Sequence, residues 1–188
     1  MTWSLGETQS LAQKACVGAG YRWGQAEDAG RAVRFLCSYG IDGTEHLAVL
    51  LEKVGDGPVD GSACPISLGT RIADGDLSIG AEPVALDRIA APHLLIPFVA
   101  WAAAKHGQWL NLTLPDVTVT VAPSGRIRMA ERTGSGIDVR VMTPATDDLP
   151  APHMTRATIA PRPRKILNQF AGRTYAPATE ESRAKGAG

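Results

Sequence analysis

Six side chains in this chain have types and surroundings on which chemistry could rest: Cys64, His93, Arg71, Arg173, Tyr175 and Arg183. Cys64 sits directly before Pro65. A thiol becomes a nucleophile when a histidine, a cation or a helix N-terminus lowers its pKa. His93 and Arg71 would do this if the fold brought them to it. The competing reading makes Cys64 a small buried hydrophobe and His93 a half-buried, hydrogen-bonded ring rather than a base. Near the C-terminus, Arg173, Thr174, Tyr175, Thr179, Ser182 and Arg183 concentrate hydrogen-bonding groups. Two guanidinium forks among them suit a carboxylate or phosphate. Pro177 points to a short last helix, whose first N–H groups would add to an anion site. The alternative for this tail is a solvated end tied down on an acidic body.

Several function classes are disfavoured. His46, His93, His106 and His153 are isolated, with no HxH or HExxH spacing, so no metal is expected. The glycines at 18 and 20 are too closely spaced for a dinucleotide fingerprint and follow no predicted strand, so no cofactor is expected. Net charge is zero, but the last 38 residues carry +5 and the first 150 carry −5. Nucleic acid is not expected as a partner: Phe170 and Tyr175 are the only aromatics near the basic tail, and Arg126 and Arg128 would have to join the patch. Cys16, Cys37 and Cys64 are an odd number with no CxxC spacing, which indicates a reducing compartment. No basic stretch followed by an apolar core opens the chain, and no apolar run of about 18–20 residues lacks proline and charge. A cytoplasmic location and no membrane span are expected.

The elements that must position these groups are organised around Ile89–Gly107, IAAPHLLIPFVAWAAAKHG, with thirteen apolar residues among nineteen. Such a run must be covered by the rest of the chain. Pro97 inside a helix would cost about 3 kcal/mol. The favoured reading is a short turn over 92–95 followed by a helix from 97, capped by Gly107. Upstream, Ser4 and Glu7 spell a capping box for a first helix that ends at Gly18 and Gly20. A second helix starts at Trp23-Gly24 and ends at Gly40. Asp42 and Glu45 form another capping-box pair, opening a third helix to about Val54. Trp3 is expected to staple the first helix, and Trp23 to pack the second against it; exposure of either would indicate an interface.

The stretch 55–61, GDGPVDG, is the best candidate boundary. CPISLGTRI and DLSIGAEPV read as two strands. Leu110, Leu112 and Leu114, then Val117, Val119 and Val121, alternate with polar neighbours, and Pro115-Asp116 turns between them. RIRM and Ile137, Val139, Val141 complete an antiparallel meander with one buried face. A short strand at 155–159 and a helix over 163–171 follow. The expected class is α+β: a helical region 1–54, an antiparallel sheet with a central helix over 62–160, and a C-terminal helix with basic tail over 161–188, forming one compact domain.

Two resemblances accompany this reading. WSLGETQSLAQKA, CPISLGTRIADG and RTYAPATEESRAKGAG together resemble an uncharacterised family of small bacterial proteins known only as a domain of unknown function. The resemblance covers nearly the whole chain, implies no activity, and implies a longer chain with a Gly-rich, acidic-tipped end. The first 50 residues are also similar to the helical start of the malate/L-lactate dehydrogenase family that lacks the usual Rossmann domain. Its Ser-His-Gly turn compares with Gly40-Ile41-Asp42-Gly43-Thr44-Glu45-His46, where Thr44 replaces the serine and the histidine is shifted. No cofactor or catalytic residue is carried over.

The leading expectation is therefore a cytoplasmic accessory or ligand-binding protein of small-molecule metabolism, as a homodimer. One rival is an enzyme acting on a small anionic substrate through Cys64 or His93, with Arg71 or Arg173 holding the anion. The other is a structural subunit whose basic tail docks on a partner protein.

Overall fold

Ser4 begins the first helix as its sequence requires. Its hydroxyl accepts from the Glu7 N–H at 3.1 Å, and the Glu7 carboxylate accepts the Ser4 N–H at 2.8 Å. Burial follows the 3–4 spacing of Leu11, Ala12, Ala15 and Cys16 along α1 (Leu5–Gly18). Helix α2 (Trp23–Ser38) lies against it so closely that a Cβ on Gly30 would stand 2.9 Å from the Gln9 carbonyl oxygen. Asp42 opens α3 (Gly43–Val54) by accepting the Glu45 N–H at 3.0 Å. The reciprocal half of the expected capping box is replaced, because the Glu45 carboxylate binds Arg162.

The computed structural model describes residues 2–54, 63–86, 88–143, 146 and 148–174. The stretch 55–61 read as a linker lies outside the described residues.

The first expected strand, CPISLGTRI, is instead a helix, α4 (Pro65–Asp74). Its signals are Pro65 in the first turn and Gly75 in the left-handed region at its end, φ 89°. Gly69 explains the misreading: a Cβ there would lie 2.4 Å from the Phe98 ring. The helix needs a gap in its apolar stripe so that α5 can approach. Of the second expected strand, DLSIGAEPV, only its end survives, in β2 (Val84–Ala85).

A 3-10 turn at Pro92–Leu95 leads into α5 (Ile96–His106), with Pro97 in the first turn, where its missing N–H costs nothing. Gly107, φ 63°, ends the helix. Helix α5 lies between α2 and α4 on one side and the sheet on the other. Lys105 near its end donates to the Ala73 and Asp74 carbonyls at 3.2 and 3.0 Å, satisfying the last turn of α4.

The sheet is antiparallel, in the order β2-β6-β3-β4-β5. Strands β3 (Leu110–Thr113), β4 (Val117–Val121) and β5 (Ile127–Glu131) are joined by hairpins, with Leu112 opposite Val119. The expected meander stops there. Strand β6 (Asp138–Val141) returns to the free edge of β3, placing Val139 opposite Leu112, so the four strands form a Greek key. This pairing buries Val139 beside Leu112 and Val119, all fully enclosed. Strand β7 (Arg156–Thr158) pairs with β1 (Thr2–Ser4) in a separate two-stranded ribbon. Helix α6 (Pro161–Gly172) closes the fold, its Phe170 carbonyl set so near Gly18 that no Cβ fits. One hydrophobic core runs from Leu11 through Leu36, Phe98 and Leu112 to Leu167. The α+β class read from the sequence is the class observed. No helix among the described residues is long and apolar enough to cross a membrane.

Candidate functional site

Three segments far apart in the chain meet at one cleft of about 750 Å3. Capping by Asp42 fixes the first turn of α3 and with it His46. The 3-10 turn presents His93. The Pro115-Asp116 turn, closed by the Leu114 N–H on the Val117 carbonyl at 2.8 Å, presents Asp116. The two imidazoles stack, centroids 4.2 Å apart and planes 9° from parallel. His93 Nε2 is 3.1 Å from Asp116 Oδ2. Met129, Glu131, Arg132 and Thr133, at the end of β5 and just after it, form the opposite wall.

This geometry has electrostatic consequences. Burial, and secondarily the adjacent His93, push the His46 imidazole down to about 4, so it is neutral near pH 7. His93 is mostly enclosed, whereas Asp116 is largely open to water. A carboxylate on Nε2 orients the ring. With the hydrogen on Nε2 donated to Asp116, Nδ1 carries the lone pair that accepts a proton. The wall is braced as well: the Arg132 N–H donates to the Asp116 carbonyl at 2.9 Å, and Arg132 Nη1 donates to the Leu114 carbonyl at 3.0 Å.

Backbone strain marks the same place. Ala91, directly before the 3-10 turn, is in the left-handed region at φ 49°, ψ 60°, although it is not glycine. Such conformations persist where the surroundings enforce them, and they gather at functional sites.

The other residues singled out from the sequence lie elsewhere. Cys64 is fully buried as the N-cap of α4, with its Sγ 3.6 Å from the Tyr21 hydroxyl. Arg71 is exposed on the last turn of α4. Neither Cys64 nor Arg71 lines the His93 cleft. Arg173 follows α6 and lays its guanidinium over the Phe170 ring at 4.3 Å. Tyr175 and Arg183, and with them the expected docking of the tail, lie outside the described residues. Trp23 does not pack α2 against α1 as expected: it is 69% exposed. Burial pushes the Cys16 and Cys37 thiols up. The three cysteines are unbonded to one another. Among the described residues, no group of three or more His, Cys, Asp or Glu side chains is placed to hold a metal ion.

Sequence reasoning weighed His46 as a metal ligand and as the shifted histidine of the dehydrogenase-like turn, and Asp116 only as a turn residue. The signal for Asp116 was its place at the tip of a tight hairpin. Nothing local linked it to a histidine 23 residues earlier.

Comparison with curated proteins and with solved structures finds no match. Nothing found carries the likeness to the malate/L-lactate dehydrogenases. Residues 3–79 do match a family described as a protein of unknown function (DUF3726). The matched stretch runs from β1 past α4 and includes His46, while His93 and Asp116 lie beyond it: this chain is similar, over its helical first part, to a family of uncharacterised proteins.

Proposed function

We propose that the histidine cleft binds a small anionic molecule and that His93, oriented by Asp116, exchanges a proton with it. The observation that carries this reading is the His46–His93 stack with Asp116 on His93 Nε2, at the wall of an open cleft. A histidine oriented by a carboxylate is a general acid–base unit. Arg132 supplies the cation for a carboxylate or phosphate. His46 stays neutral beside it and offers a hydrogen bond without opposing a positive charge on His93. The chemistry is proton transfer on a small metabolite, in a reducing, cytoplasmic setting that the unpaired cysteines favour.

A thermal-shift screen of small carboxylates and phosphates tests this, because a ligand of the native state raises its stability by mass action. Hits are then followed for solvent deuterium entering the bound molecule. We expect Arg132→Gln to remove the thermal shift. Asp116→Asn should keep the shift and lower exchange by about 10²–10⁴-fold, the range general acid–base catalysis contributes. A ligand whose binding depends on Arg132 but which exchanges nothing would leave the accessory, ligand-binding reading. Binding indifferent to Arg132, His93 and Asp116 would sink the site.

Exposure of Trp23 supports a second reading beside the first, an interface with another chain. Sedimentation of wild type and Trp23→Ser measures it: a single monomeric species for both would remove it.

A further inference from the structure

A second cavity, of about 550 Å3, opens where α1, α2 and α5 meet the loop before β7. Its volume lies within the range of small-molecule pockets, about 300–1,000 Å3. Two cations one turn apart on α2, Arg31 and Arg34, line it, and among the described residues no carboxylate does. Arg31 lies over the Trp101 indole with its Cζ 4.8 Å from the ring centroid. That indole is held in turn edge-on to Phe98, centroids 4.9 Å apart. Arg31 reaches Asp28 only at 3.5 Å, and Arg34 donates to a neutral partner, Gln9 Oε1, at 3.2 Å. Arg31 thus has a long ion pair with Asp28, and Arg34 has no carboxylate partner among the described residues.

Gln9 and Ser38 add neutral polar groups to the lining, and the rest of the wall is apolar. Leu5, Phe35, Pro152 and Met154 contribute it, and Met154 is 43% exposed. This wall is fixed in place: the His153 and Met154 N–H groups both donate to the Ser38 carbonyl at 3.0 Å. A braced apolar surface under two forks, one of them oriented on an aromatic face, suits a molecule with one charged end and one apolar end.

We propose that this cavity binds small amphipathic anions, with a carboxylate or phosphate at Arg31 and Arg34 and an aromatic or short aliphatic body against Phe35 and Met154. The site is separate from the histidine cleft, with which it shares no lining residue.

The experiment follows the Trp101 indole N–H resonance of the full-length, isotope-labelled chain, assigned with Trp101→Phe. Phenyl phosphate and phenylacetate are titrated, beside inorganic phosphate and phenylethanol. Phenyl phosphate and phenylacetate should move the resonance saturably. Inorganic phosphate, lacking the body, and phenylethanol, lacking the charge, should bind about tenfold more weakly or worse, since a charge-assisted pair is worth at least that factor. Arg34→Gln should weaken the two aryl anions about tenfold with an unchanged Tm, because Arg34 is exposed. Arg31→Lys, which keeps the charge and loses the stacked fork, gives a second measure should Arg34→Gln fold poorly; it too should weaken both. His93→Ala should change nothing here, so this proposal and the histidine site stand or fall separately. No movement with either aryl anion, equal binding of phenylethanol, or full affinity in both arginine variants would each overturn the proposal.

Discussion

The two cavities are built from opposite chemistries on either side of one segment. His93 sits in the 3-10 turn at 92–95, and Trp101 follows in α5. On the His93 side the lining mixes signs: two imidazoles, Asp116, Glu131 and Arg132. On the Trp101 side it carries one sign, with two guanidinium groups over aromatic and apolar side chains. Moving a proton requires groups that gain and lose charge beside one another. Retaining an anion requires fixed charge that does not titrate, which arginine provides. The site proposed for proton transfer and the site proposed for anion binding therefore share one segment without sharing lining side chains.

That shared support is the first place to break the comparison. Leu95, which lies between His93 and Trp101 in the chain, is fully buried. Leu95→Ala should cost about 2–5 kcal/mol, the range for large-to-small core changes, measured by urea unfolding. Ligand binding should weaken at both cavities together. A loss below about 1 kcal/mol, or damage to one cavity alone, would show that the segment is not their common brace.

Acid should separate them. In the unfolded chain His46 takes up a proton near its ordinary 6.5, whereas in the folded chain it stays neutral down to about 4. As pH falls through this window the unfolded state binds more protons, so stability drops; above pH 6.5 the full stability is present. The ideal loss is about 3 kcal/mol, reduced for a partly open ring to roughly 1–2 kcal/mol. His46→Gln should flatten this slope between pH 6.5 and 4, as read from Tm against pH. The arginine cavity, with no titrating group in that range among the described residues of its lining, should keep its affinity for phenyl phosphate down to about pH 5. An unchanged slope in His46→Gln would assign the acid sensitivity to another group.

A smaller effect tests how α3 is held. Arg162 on α6 joins Glu45 and Glu52, and Glu45 adjoins His46. All three side chains are well exposed, so Arg162→Ala should cost no more than about 1 kcal/mol. It should weaken the histidine cleft slightly and leave the arginine cavity alone. Equal weakening at both would mean that α6 supports the whole helical layer rather than α3.

The parts legible in the sequence are those whose signals are local. Ser4 and Glu7 are three residues apart and open α1 as read. The conflict at Pro97 allowed only a kink or a new start, and the chain starts a helix there. Alternation over 110–121 gave the β3–β4 hairpin because one face is buried. Helix α4 was obscured because Ile66, Leu68, Thr70 and Ile72 alternate like a strand, while Gly69, at the true helical contact, has no side chain to show it. The place of β6 was illegible for another reason: β3 and β5 each had an edge to offer, and long-range packing chose between them. The histidine site is nonlocal throughout. His46, His93 and Asp116 occupy a cap, a turn and a hairpin tip, and only the assembled fold brings them into contact.

The smallest expected effect on stability is also the sharpest test of how His93 is set. Ala91 holds a left-handed conformation that costs an L-residue roughly 1–2 kcal/mol. Ala91→Gly removes that cost. It also frees the unfolded chain, by about 0.5–1 kcal/mol, and gives up a buried methyl worth about 0.8 kcal/mol. These terms nearly cancel, so Tm should move little in either direction. The effect on the site should be larger, because glycine allows Pro92 and His93 a wider range of entry angles. The His93–Asp116 bond should then spend less time formed, and proton exchange on a bound ligand should fall severalfold. Affinity at the arginine cavity should be unchanged, because Trp101 lies beyond the 3-10 turn on a helix that the substitution does not touch. If exchange is as fast in Ala91→Gly as in the wild type, the strained residue does not position His93, and the left-handed turn serves only to lead the chain into α5.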